Sequence, residues 1–192
     1  MNIGLYFGSF NPIHVGHLII ANHIVEYTDL DEIWFVVSPQ NPLKKKATLL
    51  DNHHRLELVN RAIENFPNFR SSDVEFKLPR PSYTVNTLAV LKEKYPKHNF
   101  NLIMGEDNLR TITKWKNYEV LLEDYHIYVY PRISESIQIS PEIMESVTKV
   151  NAPIIEISST YIRKGIKSQK DVRPLVPFKV WEYIDLMNFY KK

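Results

Sequence analysis

The 192-residue chain contains no cysteine, which excludes disulfides and thiolate metal sites and fits a reducing compartment. It also lacks a dominant charge. Its 24 Lys and Arg stand against 22 Asp and Glu, for a formal net charge of +2, too little for the broad field that binds nucleic acid or anionic membrane. No run approaches the roughly 20 apolar residues of a membrane span, and MNIGLYFGSF has neither a basic leader nor a long apolar core. These absences predict a cytoplasmic protein with no nucleic-acid and no membrane partner, and any anion it binds must be held locally. Repeats, low-complexity tracts and linkers between blocks of different composition are also missing, so one domain is expected over residues 1–192. Homo-oligomerisation is left open.

What is present is enough apolar sequence for an ordinary core, 44% hydrophobic against 24% charged. Apolar runs of strand length recur at Ile3 to Phe7, Ile33 to Val37, Phe100 to Met104, His126 to Tyr130 and Pro153 to Ile157. Several are almost continuously apolar, as expected of parallel strands covered on both faces. Between them lie segments with helical spacing: His17 to Tyr27, Asp51 to Asn65 with Asp51 as cap, Thr84 to Tyr95, and Tyr118 to Glu123. Strands alternating with helices predict an α/β fold with an open, mostly parallel, doubly wound sheet of Rossmann-like type. Ligands of such a sheet sit beyond the carboxyl ends of its strands. Pro39 to Leu50 and Arg70 to Ser82 are proline-broken candidate substrate loops. Phe178 to Tyr190, with Val180, Trp181, Ile184 and Met187 at helical spacing, predicts a C-terminal packing helix.

The stretch GSFNPIHVGH, residues 8 to 17, follows the first strand and leads into the first helix. Pro12 stiffens the turn and Gly16 lets it tighten before the helix begins. A helix N-terminus offers unpaired N–H donors and partial positive charge. An imidazole there adds a hydrogen bond and, beside polyphosphate, a full charge. His14 and His17 could instead start a metal site, but there is no Cys and no third His or carboxylate at an evident ligand spacing. They could equally be ordinary cap and turn residues. A second stretch, ISSTYIRKG at 157 to 165, also stands where a helix should start. Ser158, Ser159 or Thr160 can cap it, and Arg163 falls on the same face of the first turn as Thr160. A capped helix with a solvated arginine is the plainer reading, and two phosphate-like sites after two strands argue against it.

Taken together, GSFNPIHVGH and ISSTYIR resemble the HxGH and ISSTxIR motifs of the nucleotidyltransferase superfamily. With PSYTVNTL (81 to 88), GEDNL (105 to 109), Trp115 and the spacing over nearly the whole chain, the sequence resembles the bacterial nicotinate-nucleotide adenylyltransferases. That family makes deamido-NAD and pyrophosphate from ATP and nicotinate mononucleotide, in NAD biosynthesis. The resemblance implies an ATP site of Gly8, Ser9, Phe10, His14, His17, Gly105, Asp107, Ile157, Ser158, Ser159, Thr160 and Arg163. The C-terminal helical part from about residue 158 would complete it. Tyr83, Thr84 and Trp115 match the pyridine-nucleotide pocket, in which main-chain donors near Thr84, Trp115 and Lys116 would meet the nicotinate carboxylate. Lys44 matches the basic loop residue that approaches the phosphates. His17, His14, Lys44 and Arg163 are then the candidate catalytic residues. The cofactor implied is Mg2+, held by substrate phosphates and water rather than by a protein metal site.

The chain departs from the family pattern at two points. The usual GGTFDP reads Phe7, Gly8, Ser9, Phe10, Asn11, Pro12, and the PPHK loop reads Pro42, Leu43, Lys44, which leaves the active lysine open among Lys44, Lys45 and Lys46. GSFNP also resembles nicotinamide-mononucleotide enzymes, so a nicotinamide or dual preference stays an alternative. Phosphopantetheine adenylyltransferases share the two phosphate motifs but are shorter and lack the PSYT and Trp arrangement. A non-catalytic nucleotide-binding module is the remaining alternative. Whether Arg132, after the run HIYVY, reaches the site is also left open.

Overall fold

A computed structural model of the chain describes residues 1–39, 49–133 and 140–191. In chain order its elements are β1 (Asn2–Gly8), α1 (Val15–Tyr27), β2 (Glu32–Val37), α2 (Asn52–Ile63), β3 (Phe69–Ser72) and α3 (Thr84–Lys94). There follow β4 (Asn99–Gly105), α4 (Glu106–Leu109), α5 (Tyr118–Asp124), β5 (Ile127–Tyr130), α6 (Pro141–Met144), β6 (Val147–Lys149), α7 (Ser159–Lys167) and α8 (Phe178–Leu186). The six strands form one sheet in the order β3-β2-β1-β4-β5-β6, every pairing parallel.

Burial on both faces explains the near-continuous apolar runs. Along β1 and β2 alternate residues enter opposite cores. Tyr6, Ile33, Phe35 and Val37 join α1, α2, α7 and α8 on one side, and Ile3, Leu5, Trp34 and Val36 join α3 and α5 on the other. The strand order reverses between β1 and β4, which opens a crevice beyond Gly8 and Gly105, where such sheets bind their ligands.

Three sequence expectations need correction. Pro153 to Ile157 is not a strand. The sixth strand is β6, and residues 151–157 carry no regular structure. Pro153 has no N–H for a ladder, and the segment leaves the sheet edge to cross the start of α1, where its Ile155 carbonyl accepts a hydrogen bond from Arg132 Nη1 at 3.3 Å. Second, α1 begins at Val15, not His17, with His14 as its N-cap. No Ser, Thr or Asp announces this start because a histidine does the capping work: the His14 backbone N–H donates to His17 Nδ1 at 3.2 Å. Third, α8 stops at Leu186, and Met187 beyond it is 41% exposed rather than packed. Val180 and Ile184 are fully buried, as their spacing predicts.

Candidate active site

The turn after β1 is strained and then locked. Phe10 has φ 44°, in the left-handed region that a bulky side chain avoids, yet its ring is 1% exposed. Such strain costs about 1–3 kcal/mol, and burying a phenylalanine returns about 1.5–3 kcal/mol, so packing can hold the turn. The Phe10 ring lies edge-on to His17 at 5.2 Å and to Tyr6 at 6.0 Å between centroids. The strained residue therefore forms part of the bed on which His17 rests.

His14 and His17 stack at 3.7 Å between ring centroids. An N–H that donates to His17 Nδ1 requires that nitrogen to be bare, so the proton of the neutral ring sits on Nε2. His14 is 4% exposed, and burial together with the nearby Arg132 charge pushes it down from 6.5 to about 4. In the free protein it is therefore a neutral imidazole, and the full charge expected beside polyphosphate requires that polyanion to be present. Its buried Nδ1 has no hydrogen-bond partner. Gly16 is needed for close approach: a Cβ there would stand 2.8 Å from Ile155 Cγ2. The crossing segment leaves no room for a side chain, which is a different reason for this glycine from the tight turn expected.

That crossing segment delivers α7. Ser158 caps the helix, accepting from the Tyr161 N–H at 3.2 Å. Ser159 Oγ donates to the Pro12 carbonyl at 2.8 Å, Arg163 Nη1 to the Asn11 carbonyl at 2.7 Å, and Arg163 Nη2 to Thr160 Oγ1 at 3.2 Å. Two stretches near opposite ends of the sequence are thus bonded side by side, and both line one cleft of about 510 Å3.

Of the residues expected at a site, Gly8, Ser9, Phe10, His14, His17, Tyr83, Thr84, Asp107, Trp115, Ile157, Ser158, Ser159, Thr160 and Arg163 all line this cleft. Gly105 does not. It ends β4, where a Cβ would meet Asp107 Oδ1 at 2.5 Å, so it makes room behind the Asp107 carboxylate instead. Lys44, with Lys45 and Lys46, lies outside the described residues. Arg132, left open by the sequence, lines the cleft with Nε 4.0 Å from Asp107 Oδ1. The Trp115 backbone N–H is not available as a donor, because it is committed to the Ile112 carbonyl at 2.8 Å.

Two buried charged residues escaped the sequence reading. Arg55 is fully buried and donates to the carbonyls of Leu50, Ser9, Ser38 and Pro39 and to Asn52 Oδ1. It ties the turn after β1 to the end of β2. Glu75, 2% exposed, accepts from Ser82 Oγ at 3.0 Å and Thr87 Oγ1 at 2.8 Å. Burial raises its carboxyl above the usual range, and it braces the start of α3. Neither stands out in DNHHRLEL or DVEF, where a charged residue is ordinarily solvated.

Residues 5–165 match the family model described as cytidylyltransferase-like. The chain belongs to this family. It is 62% identical to a probable nicotinate-nucleotide adenylyltransferase of Flavobacterium johnsoniae, over the full length of both chains, and 60% identical to one of Christiangramia forsetii over 98% of each. Among solved structures it is similar to the Plasmodium falciparum nicotinic acid mononucleotide adenylyltransferase complexed with NaAD, at TM-score 0.79 and 24% identity, covering 99% of this chain and 97% of that one. A nicotinate-nucleotide adenylyltransferase of Vibrio parahaemolyticus, described as putative in its structure, gives 0.74 and 21%, covering 100% and 96%. At these identities the structural likeness speaks for the family's fold. Among the described residues no helix is long and apolar enough to cross a membrane.

Proposed function

We infer that the protein is a nicotinate-nucleotide adenylyltransferase, which transfers AMP from ATP to nicotinate mononucleotide and releases pyrophosphate. The observation that carries this reading is the bonding of Ser159 and Arg163 to the Pro12 and Asn11 carbonyls, which turns the starts of α1 and α7 onto one cleft. The names of relatives 62% and 60% identical over essentially the whole chain support the substrate.

Both reactants are anions, so the physical demand is to offset repulsion while bringing a phosphate monoester against the α-phosphorus of ATP. The attacking oxygen is already largely deprotonated near neutrality, since a monoester's second pKa is about 6. No general base or covalent nucleophile is needed, and the transfer is direct and in line, with alignment and charge stabilisation as the protein's contribution. In this reading His17 donates through Nε2–H to a phosphate oxygen as charge develops on the leaving pyrophosphate. Arg163, Ser159 and Thr160 hold the triphosphate from the α7 side, and His14, Arg132 and the expected Lys44 add to its binding. Asp107, Ile157 and Ser158 border the adenosine, and Tyr83, Thr84 and Trp115 the pyridine.

Among the described residues no group of three or more His, Asp or Glu could hold a metal ion unaided. The carboxylates of the cleft are engaged otherwise, Asp107 beside Arg132 and Glu75 by hydroxyls. This donor set fits a Mg2+ that arrives on the triphosphate and keeps its waters, offsetting phosphate charge when bound. The deciding experiment supplies ATP and Mg2+ with nicotinate mononucleotide, nicotinamide mononucleotide or phosphopantetheine in parallel and measures pyrophosphate. Highest kcat/KM with nicotinate mononucleotide is expected, and preference for either other acceptor would overturn the assignment.

A further inference from the structure

We propose that the side-chain ammonium of Lys116 makes this site choose nicotinate over nicotinamide. The inference rests on the function proposed above and names the residue through which the site discriminates. Lys116 Nζ stands 4.7 Å from the centroid of the Tyr83 ring, and both residues line the cleft with Thr84 and Trp115. No carboxylate of the described residues lies within salt-bridge distance of that ammonium. Glu75, in the same cleft, is occupied by the Ser82 and Thr87 hydroxyls. Asn117, at φ 51°, turns the chain from Lys116 directly into α5 and so fixes where the lysine stem is rooted.

A pyridine ring joined to ribose through its nitrogen is itself a cation. The face of Tyr83 suits a cation, and in the free protein the lysine ammonium takes that place. Two positive groups repel, so an incoming pyridinium displaces the ammonium, whose flexible four-carbon stem lets it swing to the ring's edge. There nicotinate presents a carboxylate and the displaced charge finds an opposite one. Nicotinamide presents a neutral amide on a positive ring, and the ammonium is left facing net like charge. Of the main-chain donors expected near Thr84, Trp115 and Lys116, the Trp115 backbone N–H is already bonded to the Ile112 carbonyl, and the lysine ammonium adds the charge that separates the two ligands.

Lys116 is exposed, so Lys116→Met should fold normally. In that variant kcat/KM for nicotinate mononucleotide should fall about tenfold, as expected for a solvent-facing charge pair together with the repulsion it relieves. The value for nicotinamide mononucleotide should hold or rise, and the KM for ATP should not move. Lys116→Arg should restore the preference, and Lys116→Glu should reverse it. Calorimetric titration of nicotinate mononucleotide should show affinity weakening with added salt in the wild type and less so in Lys116→Met. A wild type that prefers nicotinate and a folded Lys116→Met with the same ratio would overturn the lysine assignment alone. A wild type that adenylylates neither pyridine nucleotide would overturn the function on which it rests.

Discussion

Arg163 Nη1 donates to the Asn11 carbonyl at 2.7 Å across 152 positions of sequence. The bond converts a guanidinium that could wave in solvent into a fixed one, with Nη2 held by Thr160 Oγ1 and the rest of the planar group left at the cleft. Lysine keeps the charge and loses the fork. Arg163→Lys should therefore raise the KM for ATP by about tenfold and lower kcat, as expected for loss of charge-assisted bonds worth about 1.5–3 kcal/mol. The KM for nicotinate mononucleotide should change little. Steady-state kinetics with each substrate varied in turn checks this, and equal effects on both KM values would point to a general loosening of the loop.

The burial of His14 makes stability depend on pH. Its folded value lies near 4 and its ordinary value is 6.5, so between these limits the unfolded chain binds the extra proton. Stability then rises with pH through this window and falls on acidification. At full extent the loss is about 3 kcal/mol. His14→Asn should flatten that part of the curve, measured as the urea midpoint from mildly alkaline to acid pH. A variant with the same slope as wild type would show that other groups carry it.

Much of this was legible in the sequence, for physical reasons that differ by element. β1 and β2 announced themselves because strands covered on both faces must be apolar throughout, while β3 (FRSS) and β6 (VTK) are short edge strands with too few buried positions to form a pattern. The extended reading of Pro153 to Ile157 followed from its apolar content. Nothing local says that this stretch must cross α1 at Gly16 instead of joining the sheet. His14 and His17 were found through their spacing, but not the neutrality of His14, which comes from burial and from Arg132, 118 residues away in sequence only by count of their numbers and adjacent in space. Arg55 was invisible because its five acceptors lie on Leu50, Ser9, Ser38, Pro39 and Asn52, which only the fold brings together.

Arg55 is also the residue whose loss should be felt most in folding. All its bonded acceptors are neutral, and four are main-chain carbonyls that would be left without this partner in Arg55→Met. Unpaired buried carbonyls cost about 1–3 kcal/mol each before relaxation, against a small return from the apolar methionine. A net loss of about 3–5 kcal/mol in urea denaturation is expected. Loss below 1 kcal/mol would mean that water replaces the guanidinium without strain.

His17 should show the opposite profile, a large effect on rate and a small one on stability. Its ring is oriented by Phe10, Tyr6 and the stacked His14, and the His14 N–H on Nδ1 leaves Nε2–H as the donor of the neutral ring. A donor preorganised toward developing charge acts mainly in the transition state. Its removal in His17→Ala should lower kcat by about 10²–10³ while each KM stays within about threefold. Steady-state kinetics on wild type and His17→Ala, with each substrate varied in turn, checks this. An unchanged kcat in a folded His17→Ala would remove His17 from this role, and a KM for ATP that rises while kcat holds would make it a binding residue alone.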